Sequence, residues 1–158
     1  MSELASWSDL KAGLGCPFDP PRAQISDFMS FVCRLSASTL YLSKEQTYRG
    51  ACVLIFDPRH VTRIDELTAS EWARMAEDLR LAQAGIFRAV QPDHINVESL
   101  GSVVPHLHWH IIPRYKGDPR WGGPIWMTRM DEMVRTELEE TDFAALTQQI
   151  SAAVAGAA

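Results

Sequence analysis

His106, His108 and His110 stand two residues apart in the stretch Val104-Pro105-His106-Leu107-His108-Trp109-His110-Ile111-Ile112-Pro113-Arg114. Imidazole titrates near neutrality and serves as nucleophile, proton donor or metal ligand. The alternation with Leu107, Trp109 and Ile111 has the period of two that marks a strand. It predicts three histidines on one face and three apolar side chains on the other, where a core must cover them. Pro105 and Pro113 bracket the run, as suits strand ends. Three roles are open to such a row. Two histidines two apart can chelate one ion, but the outer pair of three lies roughly 13 Å apart at ~3.3 Å per residue, and the run holds no acid or thiol ligand. Alternatively His108 attacks phosphorus while its neighbours handle protons and phosphoryl charge. The third possibility is a set of ordinary half-buried strand histidines.

The rest of the chain must supply a sheet for this strand and a layer over its apolar face. Residues 38–43 alternate as a strand, with Leu40 and Leu42 on one face. The unbroken apolar run from Gly50 to Phe56 suits a central strand buried on both faces. With the polar connection 44–49, the two read as an antiparallel hairpin. Residues 67–90 carry the clearest helix signal. Thr68-Ala69-Ser70-Glu71 fits a capping box, with Leu67 placed to staple near Trp72. Met75, Leu79, Ala82 and Ile86, with Phe87 and Val90 alongside, form a stripe to lie across the sheet, and Arg74, Asp78, Arg80 and Arg88 fall on the opposite face. Pro92-Asp93 ends the helix, His94 to Glu98 resumes extended structure, and Leu100-Gly101-Ser102-Val103-Val104 turns into the histidine run. Glycine permits backbone conformations closed to other residues, and consecutive amides in such a turn can hold an anion.

Elsewhere the pattern is thinner. Ile25, Phe28, Met29, Val32 and Leu35 recur at helical spacing, so a short helix is expected over residues 24–33. Residues 1–22, rich in Ser, Gly and Pro, are expected to be irregular. Residues 116–126 read as an ordered loop with aromatic anchors. Trp109, Trp121 and Trp126 offer either buried packing or a stacking surface, and Arg114 and Lys116 are either solvated charge or contacts for distal phosphates. Residues 129–140 fit a strand or a helix. Thr141-Asp142-Phe143 opens a C-terminal helix striped by Phe143, Leu146, Ile150 and Val154.

His-x-His-x-His followed by two apolar residues resembles the signature of the histidine triad (HIT) superfamily of nucleotide hydrolases and transferases. Asn96 and Gly101 upstream, Ile112-Pro113-Arg114-Tyr115 downstream and Pro58-Arg59-His60 before the long helix agree with it. The tail from Asp118 to Trp126 is similar to a bacterial branch described as diadenosine-tetraphosphate-hydrolase-like. The resemblance implies an α+β HIT-like fold, with an antiparallel sheet of about five strands packed with a long central helix and a C-terminal helix. It implies a single domain over residues 1–158, with the motif-bearing part at about 36–127 and an extension over 128–158.

The activity implied is cleavage at the α-phosphate of a dinucleoside polyphosphate or related nucleotide conjugate through a nucleotidyl-histidine. His108 would be the nucleophile and His110 the donor to phosphoryl oxygen or leaving group, with His106 and His60 completing the shell. Asn96, Gly101, Ser102 and Val103 would contact the nucleotide. Ser102 stands where many members have Gln or Asn, so its shorter reach weakens leaving-group contacts. Such a pocket without turnover would make a nucleotide-binding regulatory module instead. A homodimer is implied. No cofactor is required, although Mg²⁺ can arrive with substrate phosphates. Some relatives use Cys-x-x-Cys and two histidines for structural zinc. Here Cys16-Pro17-Phe18-Asp19 allows a Cys16, Asp19, His60 and His106 set, but a simply buried cysteine is the preferred expectation.

The 158 residues are 46% hydrophobic, enough for one domain with a core. A net charge of −5 argues against a general partner for nucleic-acid polymers. No apolar run has transmembrane length and residues 1–15 carry no basic-plus-apolar leader, so neither a membrane partner nor any home other than the cytoplasm is expected. The odd number and irregular spacing of Cys16, Cys33 and Cys52 imply no disulfide framework.

Overall fold

The computed structural model describes residues 5–127 and 135–158. Five strands form one sheet: β1 (Met29–Arg34), β2 (Ser38–Ser43), β3 (Cys52–Phe56), β4 (His94–Glu98) and β5 (His108–Arg114). Their order is β1-β2-β3-β5-β4, and every neighbouring pair is antiparallel. A short helix, α1 (Trp7–Lys11), precedes the sheet. The long α2 (Ala69–Val90) separates β3 from β4, and α3 (Glu140–Ala155) ends the chain. The expected α+β architecture is therefore present.

One face of the sheet carries both long helices. Leu40, Leu42, Leu54, Phe56, Trp109 and Ile111 meet Met75, Ala82 and Ile86 of α2 and Phe143, Leu146, Ile150 and Val154 of α3 in one buried cluster. The two helices approach so closely that a Cβ on Gly85 would lie 2.6 Å from Cα of Val154. Both halves of the Thr68/Glu71 capping box are formed, which satisfies amides that the first turn cannot pair internally. Among the described residues, no helix is long and apolar enough to cross a membrane.

Four local expectations are corrected. Residues 29–34 form a strand, not part of a helix over 24–33. Ile25 is 70% and Phe28 80% exposed, so the helical spacing never acquires a buried stripe. The Ser26 hydroxyl accepts from the Phe28 and Met29 amides and turns the chain into β1. The N-terminal segment contains α1, capped by Ser6 accepting from the Asp9 amide. Phe87, expected beside the buried stripe, is 47% exposed. Asp78 is not on a solvated face: it is buried, accepting from the Ser36 and Ala37 amides and the Ser38 hydroxyl at 3.1, 2.7 and 2.8 Å. A carboxylate on α2 thus ties the β1–β2 turn to the helix layer. Asp78→Asn places an NH₂ against donors and is expected to lower stability by about 1–3 kcal/mol. Denaturant melts would show this as a lower midpoint at unchanged slope, and an unchanged midpoint would refute the role given to Asp78. Residues 129–134, half of the 129–140 stretch whose strand-or-helix character the sequence left open, lie outside the described residues; in the other half Glu137 forms an isolated antiparallel bridge with Glu45.

Candidate active site

β5 begins at His108, not at Val104 or His106. His108 and His110 share the sheet face opposite the helices, their ring centroids 5.0 Å apart. On that face the pairing register sets Ile55 of β3 beside His108. His110 lies between Val53 of β3 and Glu98 of β4. His106 precedes the strand, where its amide donates to the Val104 carbonyl and its ring is fully buried. Its Nε2–H donates to the Phe56 carbonyl at 2.7 Å. His106 lies just before the strand, yet Phe18 meets both its ring, at 6.2 Å, and that of His108, while Leu107, Trp109 and Ile111 all join the helix-side core, so the alternation expected of the run is present.

His108 Nδ1–H donates to the His106 carbonyl at 2.5 Å. This bond fixes the tautomer that leaves a lone pair on Nε2. Burial pushes the His108 imidazole below its ordinary pKa, against the opposing backbone bond. The ring is therefore neutral near pH 7, as a nucleophile must be. Phe18 meets it edge-on at 5.0 Å. Tyr41, Val53 and Ile55, with Phe18, Met29 and Phe31 packed against them, make the β3 side of His108 apolar. The sequence singled out the Cys16–Asp19 turn for its ligands and missed Phe18, because nothing local brings residue 18 to residue 108.

His110 is half-buried, and burial followed by repulsion from His108 lowers its pKa to about 4. Between the ordinary imidazole value near 6.5 and about 4, the unfolded chain binds a proton that the folded chain does not. Stability therefore rises with pH across that window and is lost as pH falls through it. Between pH 7 and pH 4.5 the wild-type chain is expected to lose more stability than His110→Asn, read from denaturation midpoints. Equal losses would contradict the depressed value.

His60 stands on the far side of His106, with ring centroids 5.2 Å apart. Its Nε2–H donates to the Lys11 carbonyl at 3.2 Å, and its Nδ1 lies 3.1 Å from Asp19 Oδ1. His106 Nδ1 is also 3.1 Å from Asp19 Oδ1 and 3.7 Å from Cys16 Sγ. The ligand atoms of Cys16, Asp19, His60 and His106 all fall within 4.8 Å of one another. Each histidine spends its Nε2–H on a carbonyl, so its neutral form turns an Nδ1 lone pair toward the carboxylate. Burial pushes His106 toward that neutral form, despite the attraction of Asp19. An Asp19–His106 ion pair is therefore the less favourable description. Lone pairs facing a carboxylate and a thiol suit a divalent cation, and the four donors make an N₂OS set of the type zinc accepts.

The remaining residues fall into two places. Gly101 has φ +72° and turns the chain after β4, a conformation that favours glycine. Ser102 and Val103 are exposed in that turn, Val103 at 81%. Asn96 shares the triad's sheet face but lines a separate cleft with His94, Lys116 and Trp121. Arg114, a candidate for distal phosphates, is buried. It is committed to Asp118 through two bonds and to the Gly123 and Arg120 carbonyls. Lys116 is exposed and lies 3.9 Å from Asp93. Trp109 is core, on the helix side near Trp72. Trp126 meets the His110 ring at 5.3 Å, and its indole N–H donates to Glu98. Neither Glu98 nor its pairing with His110 was foreseen; the strand register alone reveals it.

The HIT domain model matches residues 26–117, more than half of the chain. The chain belongs to the HIT family. It is 35% identical over 71 residues to a Schizosaccharomyces pombe protein described as bis(5'-nucleosyl)-tetraphosphatase (asymmetrical). That match covers 42% of this chain and 39% of the relative. HIT structures share the fold. A histidine triad protein from Bradyrhizobium japonicum superposes with a TM-score of 0.73 at 21% identity, covering 81% of this chain and 92% of the other. One from Marinobacter aquaeolei VT8 gives 0.72 at 24%, covering 82% and 91%. The chain spans well under half the length of the curated Schizosaccharomyces pombe relative.

Proposed function

We propose that this HIT protein hydrolyses or transfers nucleotides at the α-phosphate through a nucleotidyl-His108 intermediate, with a dinucleoside polyphosphate or related conjugate as substrate. The observation that carries the reading is the His108 Nδ1–H···O=C bond to His106, which leaves the lone pair of the neutral ring on Nε2. Nε2 forms the N–P bond as the bond from phosphorus to the leaving group breaks, and the leaving group keeps that electron pair. The positive charge left on His108 is stabilised by the His106 carbonyl through Nδ1–H. His110 donates to phosphoryl oxygen or to the departing atom once bound phosphate makes His110 protonation favourable. That atom is an oxygen in a polyphosphate, or the nitrogen of a phosphoramidate, which takes the proton and leaves as a neutral amine. Water then attacks phosphorus, the N–P bond breaks with its electrons returning to Nε2, and water's proton leaves with product. Two displacements replace one difficult step, and aimed donors meet the phosphoryl charge. The half-buried Phe18, Met29 and Phe31, packed over the buried Tyr41, Val53 and Ile55, suit the nucleoside half. Wild-type protein is expected to release AMP from diadenosine tetraphosphate or adenosine phosphoramidate. Release of AMP from neither, with tight nucleotide binding, would instead favour the regulatory-module reading.

The convergence of Cys16, Asp19, His60 and His106 supports a second role beside the triad. A divalent ion, zinc by donor type, would be held by those four side chains. It would supply a structural tie between the N-terminal turn and the segment whose carbonyl orients His108. Burial raises the Cys16 thiol above its ordinary pKa, so uptake would release a proton. Elemental analysis is expected to find one ion per chain, lost in Asp19→Asn, with chelation lowering Tm by several degrees. A protein that takes up no ion and melts unchanged after chelation would remove this role.

A further inference from the structure

We propose that Glu98 determines leaving-group specificity, disfavouring polyanionic leaving groups relative to small uncharged ones. The inference rests on the reading that His108 attacks an α-phosphate and His110 faces the departing group. The two flanks of the triad face differ in chemistry. On the β3 side, Val53 and Ile55 stand beside His110 and His108 in a buried apolar cluster with Tyr41, and the half-buried Phe18 and Phe31 present its apolar edge. That flank takes the nucleoside. On the β4 side the residue paired with His110 is Glu98. Directly paired residues bring their Cβ atoms to about 4.5–5.5 Å. The carboxylate is thus a neighbour of whatever leaves across His110.

This carboxylate is held in place. Trp126 donates its indole N–H to Glu98 and also covers the His110 ring. The adjacent Ile125 is buried against Tyr48 and Ile112, anchoring the short turn that presents the indole. Arg114, on the same sheet face beyond Ile112, does not offset the charge for a ligand, since Asp118 already pairs with it. A triphosphate leaving group would gather negative charge beside a fixed negative charge, in a half-buried setting where water screens it incompletely. Ammonia or a small amine leaving from a phosphoramidate carries no such charge. The loss of one like charge at this range predicts an effect of about one order of magnitude on the competing substrates.

The test is Glu98→Gln, which keeps an oxygen to accept from Trp126 and removes only the charge. kcat/KM is measured for diadenosine tetraphosphate and for adenosine phosphoramidate, at 0.05 M and 0.5 M salt. The expected result is a shift of about tenfold in the ratio of the two values toward the tetraphosphate at low salt, shrinking at high salt. A ratio unmoved by Glu98→Gln, with both substrates still turned over, overturns this inference and leaves the His108 chemistry standing. Turnover of neither substrate by wild type overturns the underlying reading and this inference with it.

Discussion

His108→Ala is expected to abolish turnover, lowering kcat by at least about 10³-fold, while nucleotide affinity stays within roughly threefold. The expectation follows from where the nucleophile sits. His108 contributes a lone pair aimed by the His106 carbonyl, whereas the apolar wall of Tyr41, Val53 and Ile55 belongs to β2 and β3 and survives the substitution. Removing the imidazole would delete the proposed covalent route and leave the flank proposed for the nucleoside. His106→Ala is a different experiment. It removes the bond to Phe56 and a member of the Cys16–Asp19–His60 cluster, so its losses would combine chemistry with stability. Product analysis and nucleotide titration of His108→Ala separate the alternatives. Near-wild-type turnover would exclude His108 as nucleophile.

Arg114→Ala is expected to be the more damaging substitution for the fold. The guanidinium and the Asp118 carboxylate are 3% and 5% exposed and form two parallel bonds of 2.8 and 2.9 Å. Arg114 also donates to the Gly123 and Arg120 carbonyls and lies 5.4 Å from the Tyr48 ring centroid. It is the post around which residues 115–123 turn, and that turn delivers Trp126 to His110. Deleting one partner of a buried pair leaves the other charge uncompensated, at a cost of about 3–5 kcal/mol. For a chain of this size that corresponds to a fall in Tm of roughly 10 °C. Arg114→Lys is expected to recover little, since an ammonium cannot reproduce the planar fork. Combining Arg114→Ala with Asp118→Ala should cost less than the sum of the single changes, because the stranded carboxylate is gone. Strict additivity in calorimetric melts would show that the pair is not coupled.

What the sequence disclosed follows the range of the interactions involved. The strand 38–43, the capping box at Thr68 and Glu71, and the stripe Phe143, Leu146, Ile150 and Val154 were readable because local pattern and burial agree. The bond from His108 to the His106 carbonyl was also foreseeable, since it joins residues two apart. Asp78 defeated the pattern because its partners lie some forty positions away in the β1–β2 turn. The helical spacing of Ile25, Phe28 and Val32 misled because two of those side chains face solvent. At the site, alternation gave the apolar side of the run, Leu107, Trp109 and Ile111, but not that His106 stops short of the strand and gives its ring N–H to the Phe56 carbonyl. Glu98 and Phe18 carry no local signature. They become neighbours of the triad only through the β4–β5 register and the fold of the N-terminal turn.

The central claim is a covalent bond to one named nitrogen, and intact-mass analysis tests it most directly. Wild-type protein and His108→Ala are mixed briefly with diadenosine tetraphosphate, quenched, weighed and mapped by fragmentation. The account predicts an AMP-sized adduct on His108 of the wild type that decays as product appears, and no adduct on the variant. Product formation with the adduct on another residue, or equal turnover by His108→Ala, would contradict it.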